Sequence, residues 1–263
     1  MTRVLTLNLQ HGVLGGTGTV ATAEELTDAL APLRTDAPDV LALQEVDRGQ
    51  RRSHGLDQAA VVADALDLPH VRFAAALGGQ LGRTRSARRA AQRSGNHPGP
   101  AYGVAIASRY PVVAAFVRPL PGLHTLLPRP LLHRFRLTAA DEPRVLLGTV
   151  LATPAGRLAV ACTHLSTVPP IAFLQLRQVL AAVGSLGVPA LVCGDLNLRA
   201  LPVQALSRRW RRAEALTFPV VRPDRQIDHL LLDPGSAPGT LTAVSSLPLG
   251  VSDHRGLAAE LRL

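Results

Sequence analysis

A chain of 263 residues is long enough to bury one large core, and with 47% hydrophobic but only 3% aromatic residues that core must be built mainly from Leu, Val and Ala. All 28 basic residues are arginine against 19 acidic ones, and the resulting charge of +9 attracts polyanions such as nucleic acid, phosphoinositide head groups or anionic membrane surfaces without choosing among them. Disorder is excluded by this composition, and a bilayer-spanning helix by the lack of any 18-residue apolar run. The apolar run in "MTRVLTLNLQHG" is too short for a signal peptide, so a cytoplasmic location is expected. The all-arginine complement reads as coding bias. Cys162 and Cys193 each sit in a strand-like run and read as buried free thiols.

"RVLTLNL" predicts a strand, followed by a Gly-rich turn and the helix "TAEELTDALAPL", where Thr22 and Glu25 have capping-box spacing and Leu26, Leu30 and Leu33 recur at helical intervals. "DVLALQEV" is again strand-like, "LDQAAVVADALDL" helical with Asp57 as N-cap, and "VRFAAAL" a strand. A long loop follows over 78–101. From Tyr102 onward "YGVAIASRY", "VVAAFVRPL", "RVLLGTVLAT" and "RLAVACTHLS" predict strands in antiparallel pairs. Alternation then resumes with a helix over 171–186, the strand "ALVCGDLNL", a helix over 203–216, and the strands "QIDHLLL", "GTLTAV" and "GLAAELRL". No Gly-, Pro- or Ser-rich stretch divides the chain, so 1–263 is read as one domain: two mixed sheets packed on each other with helices outside.

Polar residues stand at the ends of six apolar runs: Asn8, Glu45, His164, Asp195 with Asn197, Asp228, and Asp253 with His254. Strand ends deliver side chains to a common rim, so these groups can converge. Taken singly each has an ordinary structural explanation, a solvated strand end for Glu45 or a turn for Asp195. As a set they offer carboxylates, amides and imidazoles, with no cysteine pair at metal-ligand spacing. Hard oxygen donors of this kind suit Mg²⁺ or Mn²⁺ and point to metal-assisted attack of water on phosphorus.

The ordered series "NLQ", "LQEVD", "YGVAIASRYP", "THLS", "GDLNL", "QIDHLLL" and "SDHRGLAAEL", running from residue 8 to residue 260, resembles the endonuclease/exonuclease/phosphatase superfamily. The resemblance implies an α/β four-layer sandwich of two mixed β-sheets packed face to face, helices on the outer faces, and a site at its open end. It implies Glu45 as principal metal ligand with Asn8 beside it and Asp253 completing the set. Asp195 would orient or deprotonate water with Asn197 as neighbouring amide, His254 would act at the phosphate held by Asp228, and His164 would be the second imidazole. An Asp partner should raise the pKa of His254. Leu196, His229 and Gly256 depart from the common pattern without removing a charged or donor group.

The resemblance implies a divalent-metal-dependent hydrolase of phosphate esters, a phosphodiesterase or nuclease in the first reading. A phosphomonoesterase is the alternative, and a non-catalytic basic protein binding nucleic acid the reading from another class. Arg83, Arg85, Arg88, Arg89 and Arg93 in the long loop, with Arg48, Arg52 and Tyr102, are the candidate substrate contacts; solvated basic surface is the bland account of the loop. A phosphate-ester substrate, nucleic acid among the options, and a monomer are expected.

Overall fold

The structure is a computed structural model that describes residues 1–15, 17–81, 89–90, 99–122, 142–233, 235 and 239–263. Arg83, Arg85, Arg88 and Arg93 fall outside the described residues. Of the long loop expected over 78–101, the backbone of Arg89–Ala90 pairs as a short strand with Leu77 and Gly78.

Strands are numbered in chain order. One sheet has seven strands in the order β12 (Thr240–Leu247), β13 (Gly256–Arg262), β1 (Thr2–Asn8), β2 (Val40–Arg48), β5 (Ala101–Ser108), β3 (His70–Gly78) and β4 (Arg89–Ala90). The other has six, in the order β10 (Arg211–Arg212), β11 (Asp228–Asp233), β9 (Ala190–Asp195), β8 (Gly156–His164), β7 (Arg144–Thr153) and β6 (Val112–Leu120). Each sheet is antiparallel except for one parallel pair, β1 with β2 and β8 with β9.

The side chains of the facing strands are short and branched, and they close the seam between the sheets: Val4, Val40, Ile106, Leu147, Val160, Leu191 and Leu230 belong to one buried cluster. Helices α1 (Ala23–Ala29) and α2 (Gln58–Ala65) cover the outer face of the first sheet through Leu26 and Val62. Helices α3 (Pro169–Gly184) and α4 (Ala200–Leu206) cover the second through Leu176, Val179 and Val203. The result is the expected sandwich of two mixed sheets between helical layers.

Local signals act as read: Thr22 accepts from the Glu25 amide while Glu25 reaches back to Thr22, closing the capping box, and Asp57 caps α2. Both cysteines are buried and free. The helix expected over 203–216 is corrected. Helix α4 ends at Leu206, where the Ser207 hydroxyl donates to the Val203 carbonyl at 2.7 Å. Arg211 and Arg212 then pair with Leu232 and Leu231, and Trp210 is buried under the helical layer. Sheet pairing outweighs a helical apolar pattern here.

Strand β9 also stops sooner than "ALVCGDLNL" predicts, at Asp195. Gly194, next to it, has φ +149, and a Cβ there would stand 1.9 Å from the Thr163 carbonyl oxygen of the neighbouring parallel strand. Only glycine lets β8 and β9 approach so closely at the rim. Gly194→Ala is expected to lower the unfolding free energy by about 3 kcal/mol, measured as a lower urea midpoint at unchanged slope.

Candidate active site

The two parallel pairs set the site. In β1/β2 Asn8 lies opposite Gln44, and in β8/β9 His164 lies opposite Asp195, so both pairs end at one rim of the sandwich. Glu45 follows Gln44 at a break in register between β2 and β5, with a left-handed φ of 53°. That conformation costs a non-glycine residue on the order of 1 kcal/mol, and it sits where Glu45 joins the wall of the rim cavity.

Asp195 is the hub. Its Oδ2 accepts from Asn8 Nδ2 at 3.0 Å and lies 3.4 Å from His164 Nε2 and 3.8 Å from His254 Nε2. Its Oδ1 accepts the Asn197 amide at 2.9 Å. Asn8 Nδ2 also donates to Glu45 Oε1 at 3.1 Å, so one amide touches both carboxylates. His254 Nδ1 meets Asp228 Oδ2 at 2.9 Å, which points Nε2 toward Asp195 and Asp253. Two of these bonds cross the seam: Asn8 to Asp195, and His254, just before β13, to Asp228 on β11.

Burial and neighbouring charge set the protonation states. Burial works against the His254 imidazolium, yet the hydrogen bond and charge of Asp228, with Asp195 beyond, raise its pKa to about 9, as the sequence led us to expect. Burial, then Asp228, raises Asp195 to about 7. Burial acts first on Glu45 as well, but His11, His164 and Asn8 outweigh it and hold that carboxyl well below the usual range. Burial, with Arg144 adding to it, keeps His164 neutral. Asp228→Asn should therefore lower the His254 pKa from about 9, with Asp195 and Asp253 left to oppose the burial. Nuclear magnetic resonance titration of the ring protons would check it, and an unmoved midpoint would contradict the pairing.

Most of the expected residues meet around a cavity of about 940 Å³: Glu45, Arg52, Tyr102, His164, Asp195, Asn197, Asp253 and His254 all line it. Asn8 and Asp228 stand behind them and are buried. Asn197, inside the strand expected over "ALVCGDLNL", lies past the strand end with φ 51°, its side-chain amide donating to the Leu165 carbonyl at 3.0 Å. Arg48, expected at the substrate, does not line this cavity among the described residues, and its guanidinium packs over the Phe73 ring at 4.5 Å. Arg52 does reach the wall but is held by two 2.8 Å bonds to buried Asp47.

The sequence reading missed His11, Arg144, Arg199, Arg225 and Phe218, which also line the cavity. The Phe218 ring packs on the His254 ring with centroids 4.8 Å apart. His11 directly follows "NLQ", Arg199 directly follows "GDLNL" and Arg225 directly precedes "QIDHLLL", so adjacency to a motif was the available signal for these three; Phe218 lies apart from any of the motifs.

The donor set fits a hard divalent cation. Asp195, Asp228 and His254 bring ligand atoms within 4.8 Å of one another, and the Glu45 and Asp195 carboxylates converge on the Asn8 amide. Asp228 and His254, however, spend their facing atoms on each other, and a protonated imidazole has no lone pair for a metal.

A two-sheet α/β sandwich with a carboxylate and imidazole cluster at one rim defines the class of metal-dependent phosphoesterase-like proteins. The chain belongs to the Endonuclease/Exonuclease/phosphatase family, whose profile matches residues 5–254. It is 29% identical over 278 aligned positions to the uncharacterized protein YbhP of Escherichia coli strain K12, covering 99% of this chain and 96% of that one. Among solved structures, an endonuclease/exonuclease/phosphatase from Beutenbergia cavernae is 26% identical with a TM-score of 0.69, over 100% of this chain and 71% of the other. One from Bacteroides vulgatus, 15% identical, shares the fold at a TM-score of 0.69 over 100% and 98% of the two chains.

Proposed function

We propose that residues 1–263 act as one catalytic domain that hydrolyses phosphodiesters with Mg²⁺ or Mn²⁺, as a cytoplasmic monomer. The observation that carries this reading is the position of Asp195 Oδ2, between Asn8 at 3.0 Å, His164 Nε2 at 3.4 Å and His254 Nε2 at 3.8 Å.

Glu45, with Asn8 bonded to it at 3.1 Å and Asp253 on the wall of the same cavity, is the group that would hold the cation. When bound, the cation supplies charge neutralisation and polarisation at the phosphoryl oxygens. Asp195 orients water for in-line attack and accepts its proton, a task suited to a carboxylate whose pKa burial has brought to about 7. His254, kept cationic by Asp228, donates from Nε2 to the phosphoryl oxygen as negative charge grows. His164, neutral, sits between Glu45 and Asp195. Asn197 fixes Asp195 through its backbone amide. Arg144, Arg199 and Arg225 give the cavity a cationic wall for the remaining phosphate charge.

Bis-aryl phosphate, mono-aryl phosphate, plasmid DNA and RNA, each tested with Mg²⁺, Mn²⁺ and chelator, separate the readings. The diester should be cleaved in a chelator-sensitive way and faster than the monoester. Faster cleavage of the monoester would favour a phosphomonoesterase, and cleavage that survives chelation would remove the metal.

A further inference from the structure

Asn197, Arg199 and Arg225 also line a second hollow of about 800 Å³ that opens beside the cavity. Its walls are largely apolar, built by Pro169, Leu198, Leu201, Pro202, Ala215 and Leu216. The two acids at its edge are paired, Glu214 with Arg212 at 3.4 Å and Asp224 with Arg225 at 2.8 Å. Large apolar side chains stand in solvent here: Leu201 is 78% exposed and Leu216 48%. Val221, 80% exposed, tops the loop whose base is the Phe218–Arg225 bridge.

An apolar hollow continuous with a polar site is built for a ligand with both characters. A nucleic-acid strand would set charged oxygens against leucine and proline, and among the described residues no aromatic side chain lines the hollow for a base to stack on. Arginines 199 and 225, at the junction, stand where the phosphate of an amphiphile would lie with its chain beside it. The net charge of +9 matches an anionic bilayer.

We infer that the hollow takes an acyl chain of a phospholipid in an anionic bilayer, its phosphodiester entering the cavity, while Leu201, Leu216 and Val221 rest on the membrane. This rests on the phosphodiesterase reading. Water oxygen forms the new bond to phosphorus, and the bond to the leaving alcohol breaks with its electron pair going to that alcohol oxygen, which takes up a proton.

The test uses vesicles of phosphatidylglycerol and phosphatidylcholine, with bis-aryl phosphate as the soluble comparison. In chelator, where no turnover occurs, Leu201→Asp with Leu216→Asp should reduce co-sedimentation by about tenfold, and Val221→Asp should reduce it in the same direction. With metal, the ratio of phosphatidylglycerol to bis-aryl hydrolysis should fall by about tenfold in the double variant. Undiminished sedimentation and an unchanged ratio would overturn the inference, as would a loss confined to oligonucleotide cleavage. If the parent protein cleaved no phosphodiester, the reaction would be wrong, and sedimentation would still decide the hollow. All three side chains are exposed, so the variants are expected to fold, and circular dichroism is the check.

Discussion

Asp195→Asn is expected to lower kcat by about 10³-fold while leaving the metal-free protein at least as stable as the parent above neutral pH. An asparagine has one oxygen for the two donors that Asp195 satisfies, the Asn197 amide on Oδ1 and the Asn8 amide on Oδ2, and it accepts no proton from water. Stability runs the other way. A carboxyl raised from 3.8 to about 7 by burial and Asp228 is easily carried while protonated. Its contribution is fully present below 3.8 and is lost as pH rises through about 7, on the order of 4 kcal/mol. His254, raised from 6.5 to about 9, loses its contribution as pH rises from 6.5 through 9. Burial holds the His164 and His229 imidazoles below their ordinary range, so their contribution grows as pH rises to 6.5 and opposes that of Asp195 there. The metal-free parent should thus weaken between pH 6.5 and pH 9, and the variant should weaken less. Urea unfolding across that range decides it, and a parent stability that climbs over the same interval would refute the account.

Glu45→Gln should raise the metal concentration for half-maximal activity by roughly 100-fold. Glu45 is held ionised by His11, His164 and Asn8 despite its burial, and its side chain is still 23% exposed toward the cavity. The neutral amide keeps the shape and loses the charge that attracts a cation. Calorimetric titration with Mn²⁺ would measure the loss independently of turnover, and unchanged affinity would move the metal site away from this residue.

Much of this arrangement was legible in the residues. A helix start is set by atoms three positions apart, so the Thr22–Glu25 box and the Asp57 cap could be read directly. Strand ends carrying Asn8, Glu45, His164 and Asp195 were equally plain, because an apolar run stops where a polar group begins. What stayed hidden depends on distant partners. The left-handed turn at Glu45 comes from a register break against β5, and the stack of Phe218 on His254 joins two loops. Arg48 and Arg52 illustrate the limit: four residues apart, one packs over Phe73 away from the cavity and the other reaches its wall through Asp47. The segment after Leu206 looked helical because the strand that claims Arg211 and Arg212 lies some twenty residues further on.

The Asn8–Asp195 and His254–Asp228 bonds each bridge from one sheet to the other. Chemical alignment is therefore inherited from how the two halves are seated, not from either alone. Val4→Ala or Val160→Ala, deep in the interior, would remove two methyls from the seam that seats one half on the other and cost turnover together with folding energy. Adaptation of the rate need not happen at the rim.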